Sequence, residues 1–359
     1  MGRSFVAILL LVAACGDDGN APVDGPPSDN IVYDTPLDGD PNHPLTLADT
    51  GLCMNAACTQ ISPMAKPYAP QYTLWSDGAS KKRWIYLPAG AQIDTTNPNF
   101  WKFPVGTKLW KEFTRDGVRV ETRLMMKLLA DDAMPGSWFF ASYGWNQAQN
   151  ATTEATPTGM MNANGTGHDI PSRQQCRRCH ENTPGRVLGF QALSLDFPGA
   201  TGELDLDALV ALNALTTNPP AAVGGFHYPL PGNAVDKAAY GYMHANCGGC
   251  HNRTSSIYTT TSLELRMDVT KLGATTTMPA YVTTVNVNGT VGGLTGPIVA
   301  PMNPAGSVII TRTTATTSPP RMPELGTEIV DPAGQTALTY ISIIYIFILE
   351  IYLHISRYI

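Results

Sequence analysis

Hydrophobic and polar positions alternate over Val118-Arg119-Val120-Glu121-Thr122-Arg123-Leu124, the two-residue period of a half-buried strand. The runs Val105 to Thr114 and Val118 to Leu129 flank Arg115-Asp116-Gly117, and Asp-Gly between apolar-rich runs predicts a hairpin. Trp84-Ile85-Tyr86-Leu87 and Trp138-Phe139-Phe140-Ala141 predict further strands. Trp75, Trp84, Trp101, Trp110, Trp138 and Trp145 all fall in this part of the chain and read as its core.

From Pro171 the pattern changes. Leu204 to Leu215 carries apolar residues suited to a short helix, and Ala234 to Asn246 predicts a second. Residues 281–312 return to Thr, Val and Gly, with Asn288-Gly289 as a turn, which predicts a β insertion. A closing helix is expected from Asp331 to about Ile344.

The two ends differ from everything between them. Arg3 precedes the apolar run Phe5 to Ala14, which is too short to span a bilayer as a helix. A basic residue, a short apolar stretch and small residues before a cut describe a signal peptide, residues 1–14. Val12-Ala13-Ala14-Cys15 resembles a lipobox, so Cys15 is expected to carry lipid and anchor the chain to a bacterial membrane, on the periplasmic or cell-surface side. Residues 15–44, rich in Asp, Gly, Pro and Asn, read as a disordered tether. Residues 341–359 form an atypical Ile- and Tyr-rich tail, read as the product of a shifted frame.

Composition narrows the partners. A net charge of −6 with 14% charged residues, over 359 positions, leaves no basic patch for nucleic acid.

The cysteines point to the chemistry. Cys176-Arg177-Arg178-Cys179-His180 and Cys247-Gly248-Gly249-Cys250-His251 both read C-x-x-C-H, the attachment site of a c-type haem. Two thiols spaced by two residues can add to both vinyl groups of the macrocycle, and the next residue supplies the proximal imidazole to iron. A zinc ribbon would place its pairs much closer in sequence, and a thioredoxin-like pair would need a βαβ context. Two haem c groups are therefore expected, with His180 and His251 on iron. Cys53 and Cys58 remain, and outside the cytoplasm two such thiols most often form a disulfide.

The sixth ligands are less determined. Met322, in Pro320-Arg321-Met322-Pro323, is the expected ligand of the second iron, with Met302 as the runner-up. For the first iron, His227, Met243, His244, His168, Met160 and Met161 are candidates, and an open position is the alternative.

Leu74-Trp75-Ser76-Asp77-Gly78-Ala79-Ser80-Lys81-Lys82-Arg83-Trp84, Phe103-Pro104-Val105-Gly106, Glu121-Thr122-Arg123-Leu124 and Tyr242-Met243-His244-Ala245-Asn246-Cys247 resemble a family of dihaem c-type cytochrome lipoproteins of Gram-negative bacteria, within the cytochrome c superfamily. The resemblance runs from about residue 70 to 338, and departs from the family at the Cys53/Cys58 loop and the C-terminal tail. It implies a β-rich N-terminal region before the haem-bearing part, and it names no substrate.

The expected architecture is thus α+β and multidomain. A β-rich domain over 45–170 precedes a mainly α-helical, cytochrome c-like region over 171–340 with two haem sites and a β insertion. Electron transfer to redox protein partners is the function the two irons favour. A peroxidase-like oxidoreductase with an open haem, with His168 or Glu181 as acid/base, and a haem-bearing docking module are the alternatives.

Overall fold

The computed structural model describes residues 44–155, 158–289, 294–317 and 320–342. Cys15, the expected signal peptide and nearly all of the tether and tail lie outside these residues.

Six antiparallel strands form one sheet in chain order: β1 (Lys66–Pro67), β2 (Ser80–Tyr86), β3 (Lys108–Arg115), β4 (Val118–Lys127), β5 (Trp138–Trp145) and β6 (Thr152–Glu154). The β3–β4 turn has positive φ at Asp116 (51°) and Gly117 (81°), as a type I′ hairpin requires. Each face of the sheet is buried. On one, Trp84, Trp110, Leu124 and Ala141 are direct cross-strand neighbours and pack against Leu47, Leu52, Cys53 and Cys58. On the other, the row Ile85, Leu109, Met125 and Phe140 packs against Phe190, Leu195, Leu206 and Leu209. This second core runs without a break from the strands into residues beyond 170.

The α-helices of the described residues all lie beyond residue 170: α1 (Arg173–His180), α2 (Ala192–Leu195), α3 (Leu206–Ala211), α4 (Ala234–Asn246), α5 (Tyr258–Thr261), α6 (Pro279–Val282), α7 (Val308–Thr314) and α8 (332–342). The fold is mixed α+β. None of these helices is long and apolar enough to cross a membrane.

Two expectations need correction. Among the described residues, the β insertion over 281–312 is two paired dipeptides, β7 (Asn288–Gly289) and β8 (Gly296–Pro297). Val308-Ile309-Ile310-Thr311-Arg312-Thr313-Thr314 is helical despite its β-branched residues. The Thr313 and Thr314 hydroxyls donate to the carbonyls of Ile309 and Ile310 at 2.7 and 2.8 Å, while Ile309 packs into the core around α4. Tertiary burial outweighs the weak strand propensity. Five tryptophans are buried core residues, but Trp75 is not; it holds a loop, as described next.

Candidate functional site

Both C-x-x-C-H segments end helices, and both helices are capped by their own sequence. Ser172 and Gln175 form a reciprocal capping box that starts α1, which carries Cys176, Cys179 and His180 on its last turns. Asn233 and Asp236 do the same for α4, which runs directly into Cys247. Between Cys247 and Cys250 the backbone tolerates no side chain at Gly248. A Cβ there would lie 2.7 Å from the His244 carbonyl oxygen and 2.8 Å from Arg266 Cα.

Each motif histidine is held as a neutral imidazole. Burial pulls His180 down to about 4, and the nearby cations of Lys111, Arg123 and Arg186 add to this. Its Nδ1 lies 2.6 Å from the Arg186 carbonyl oxygen, which can only accept, so Nδ1 carries the proton and Nε2 keeps its lone pair. A metal-binding imidazole is held this way, with its second nitrogen donating to a carbonyl. Burial, then the Arg312 charge, lowers His251 to about 4, and its Nδ1 is buried with no partner.

The two motifs are neighbours. The Cys179 and Cys250 thiols hydrogen-bond to each other. Thr183 donates to the Gly249 carbonyl at 3.1 Å, and Asn252 donates to the Asn182 carbonyl at 3.3 Å. The four motif cysteines are free thiols, and among the described residues no group of three or more Cys, His, Asp or Glu is arranged to hold a metal ion. Each pair presents two thiols with an imidazole beside them, a donor set that could hold one haem. A cleft of about 10 Å³ opens against Cys176 between Phe140, Pro171 and Arg173, so seating a macrocycle there requires these elements to part. The larger cleft, about 90 Å³ beside Trp101 and Tyr228, includes no motif residue in its lining.

The Met322 loop lies over the junction. The Met322 backbone N–H donates to the Arg312 carbonyl at 2.9 Å, and the Arg312 side-chain charge acts on His251. Glu324 forms an ion pair with Arg178 of the first motif. Met302 is 55% exposed and its N–H is bonded to Ser342, so it is placed facing solvent. Cys53 and Cys58 are joined as a disulfide, with Cα atoms 4.9 Å apart.

The first-iron candidates are dispersed. His244 Nδ1 accepts from the Met267 N–H at 3.1 Å, and its Nε2 lies 2.8 Å from the Gln191 amide. His227 engages the Pro220 carbonyl and Asp207. Met243 is wholly buried in the core around α4, and Met160 and Met161 are each 45% exposed. His168 Nε2 meets Glu121 at 2.8 Å, and Glu121 lies within electrostatic range of Cys176.

Sequence reasoning missed a latch. Asp77 accepts from the Ile329 N–H at 2.7 Å, Trp75 Nε1 donates to the Ile329 carbonyl at 2.9 Å, and the Trp75 N–H donates to Asn246 at 2.7 Å. The segment Leu74 to Gly78 thus ties the loop that follows Met322 to the end of α4. The Asp77-Gly78 turn signals a loop there but not its distant partners.

Glu121 is fully buried. Burial alone would raise its pKa, but the Arg123 guanidinium and the His168 hydrogen bond hold it down at about 2, against an ordinary 4.5. A depressed carboxylate contributes stability that is complete above its unfolded pKa and lost as pH falls through its folded one. Acid denaturation should therefore draw on Glu121 between about pH 4.5 and pH 2. Glu121→Gln should cost about 3–5 kcal/mol at neutral pH and flatten that window, read from denaturant midpoints against pH. Parallel curves for the two proteins would remove Glu121 from this role.

Searches found no matching protein-family model, no matching curated protein and no matching solved structure.

Proposed function

We propose that the chain is an exported, lipid-anchored dihaem c-type cytochrome, with a cytochrome c-like second half, that passes electrons between redox protein partners. The single observation that carries this reading is the contact of two C-x-x-C-H motifs, each with an imidazole kept neutral by burial. Haem c would supply an iron that cycles between ferrous and ferric states at each motif. Cys176 and Cys179, with His180, would hold the first group; Cys247, Cys250 and His251, with Met322, the second. The Arg186 carbonyl orients His180, and the latch from Trp75 and Asp77 steadies the loop carrying Met322. Both histidines are half-buried at the edge of the flanking cores.

Protein matured with c-type haem machinery should stain for haem on a denaturing gel and show two low-spin irons in its visible spectrum. A protein without covalent haem would end this reading.

A second reading has its own support. His227 and His244 both commit their ring nitrogens elsewhere, and a buried Glu121–His168 pair lies near the first motif. An oxidoreductase with an open first iron, using His168 as acid/base, would show one high-spin haem that binds cyanide quickly.

The anchor is tested separately. Cys15→Ser should release the protein from membranes into the soluble periplasmic fraction. Retention of the variant in high salt would assign anchoring to another part of the chain or to a partner.

A further inference from the structure

The row that crosses the sheet beneath the first motif is built of like charges. Arg83, Lys111 and Arg123 are direct register partners on β2, β3 and β4. Like charges directly opposite one another destabilise a sheet. Lys81 lies one step along, opposite Phe113. The Lys81 and Lys111 ammonium nitrogens and the Arg123 guanidinium carbon sit 5.8, 4.9 and 4.3 Å from the Phe113 ring centroid.

From outside the sheet, the Glu203 carboxylate acts on Arg83, and Asp77 and Asp331 act on Lys81. Over β2 to β5 this face carries one carboxylate, Glu121, which is committed to Arg123 and His168. Arg83 is only 8% exposed and Lys111 is half-buried. Among the described residues neither has a hydrogen-bond or ion-pair partner. Burial and the flanking Arg83 and Arg123 pull the Lys111 ammonium well below the usual lysine range. Unpaired cations this deep are costly, so the arrangement calls for an anionic partner.

The row faces one candidate ligand. It adjoins the apolar core that Cys176 packs against; Arg123 lies within electrostatic range of the Cys176, Cys179 and His180 side chains, and Lys111 of His180. A haem fixed by its vinyl groups still carries two free propionate carboxylates, and guanidinium groups match carboxylates with paired hydrogen bonds. Resting on the dihaem reading, we infer that Arg83, Lys111 and Arg123 form the seat for the propionates of the first haem. The sheet is then electrostatically incomplete until that haem is attached.

The test uses the full chain matured with haem, with Lys111→Met and Arg83→Gln as separate variants. Both should shift the propionate bending modes in the resonance Raman spectrum while the covalent haem count stays at two. Lys82→Gln, an exposed residue on the opposite face of β2, should leave those modes in place, and Lys111→Arg should hold them near the parent. Lys111→Met should lower the Tm of the dihaem protein but raise it in a chain also carrying Cys176→Ala and Cys179→Ala, where it only relieves repulsion. Should Lys111→Met fail to accumulate, Arg83→Gln decides by the same spectrum. Unmoved modes in a dihaem parent and its variants, or a Tm change of the same sign in both backgrounds, overturns the seat alone. A parent without covalent haem overturns the dihaem reading and the seat with it.

Discussion

Replacing Cys176 and Cys179 together by alanine should leave a protein with one covalent haem, and replacing Cys247 and Cys250 should leave the other. Intact mass and haem stain on a denaturing gel read the count directly. The fold should survive both changes in its main outline. Each of the four thiols is half-buried rather than central, and the capping boxes of α1 and α4 lie outside the substituted positions. Trimming a thiol to a methyl costs on the order of 1 kcal/mol where it packs. The loss of a haem is much larger, because it removes covalent bonds, an iron ligand and the apolar area the macrocycle would bury. The two variants should also differ from each other. Without the first haem, the cations beneath α1 keep their mutual repulsion. Without the second, Met322 loses its proposed metal. An unchanged count in either variant would separate that motif from haem attachment; a zero count in the parent would end the reading altogether.

Local rules made the strands legible. The alternation over Val118 to Leu124 and the Asp116-Gly117 turn fix β3 and β4 because side-chain period and turn backbone are both local. The long helix α4 was equally plain, with its cap and its apolar face in one stretch. Helix α7 was not, since its β-branched residues fold against their propensity for the sake of a core built from distant segments. The cation row was hidden for a different reason. Arg83, Lys111 and Arg123 are far apart in sequence and become neighbours only through strand register. The motifs themselves were complete in the sequence, but their contact through Cys179 and Cys250 was not. Nor could composition say that His244 would spend both ring nitrogens on Met267 and Gln191.

Met322→Ala should abolish the near-infrared sulfur-to-iron charge-transfer band and lower the potential of one haem, with the covalent count still at two. Position motivates this assignment. Met322 is half-buried and its backbone is bonded to Arg312, whose charge reaches His251. Glu324 pins the same loop to Arg178 of the first motif, and Asp77 pins its continuation at Ile329. A thioether stabilises ferrous over ferric iron, so its loss moves the potential down, within the roughly 0.8 V that axial ligands can span. The count should not change, because Cys247 and Cys250 would still hold the ring. Met302→Ala serves as the control: Met302 is exposed and its backbone is tied to Ser342, so the band should persist there. A band that survives Met322→Ala and vanishes in Met302→Ala would move the ligand to Met302 and require the loop to turn inward. A parent with no such band would leave Met322 without a metal to bind, and the oxidoreductase reading would then gain the ground that methionine ligation had held.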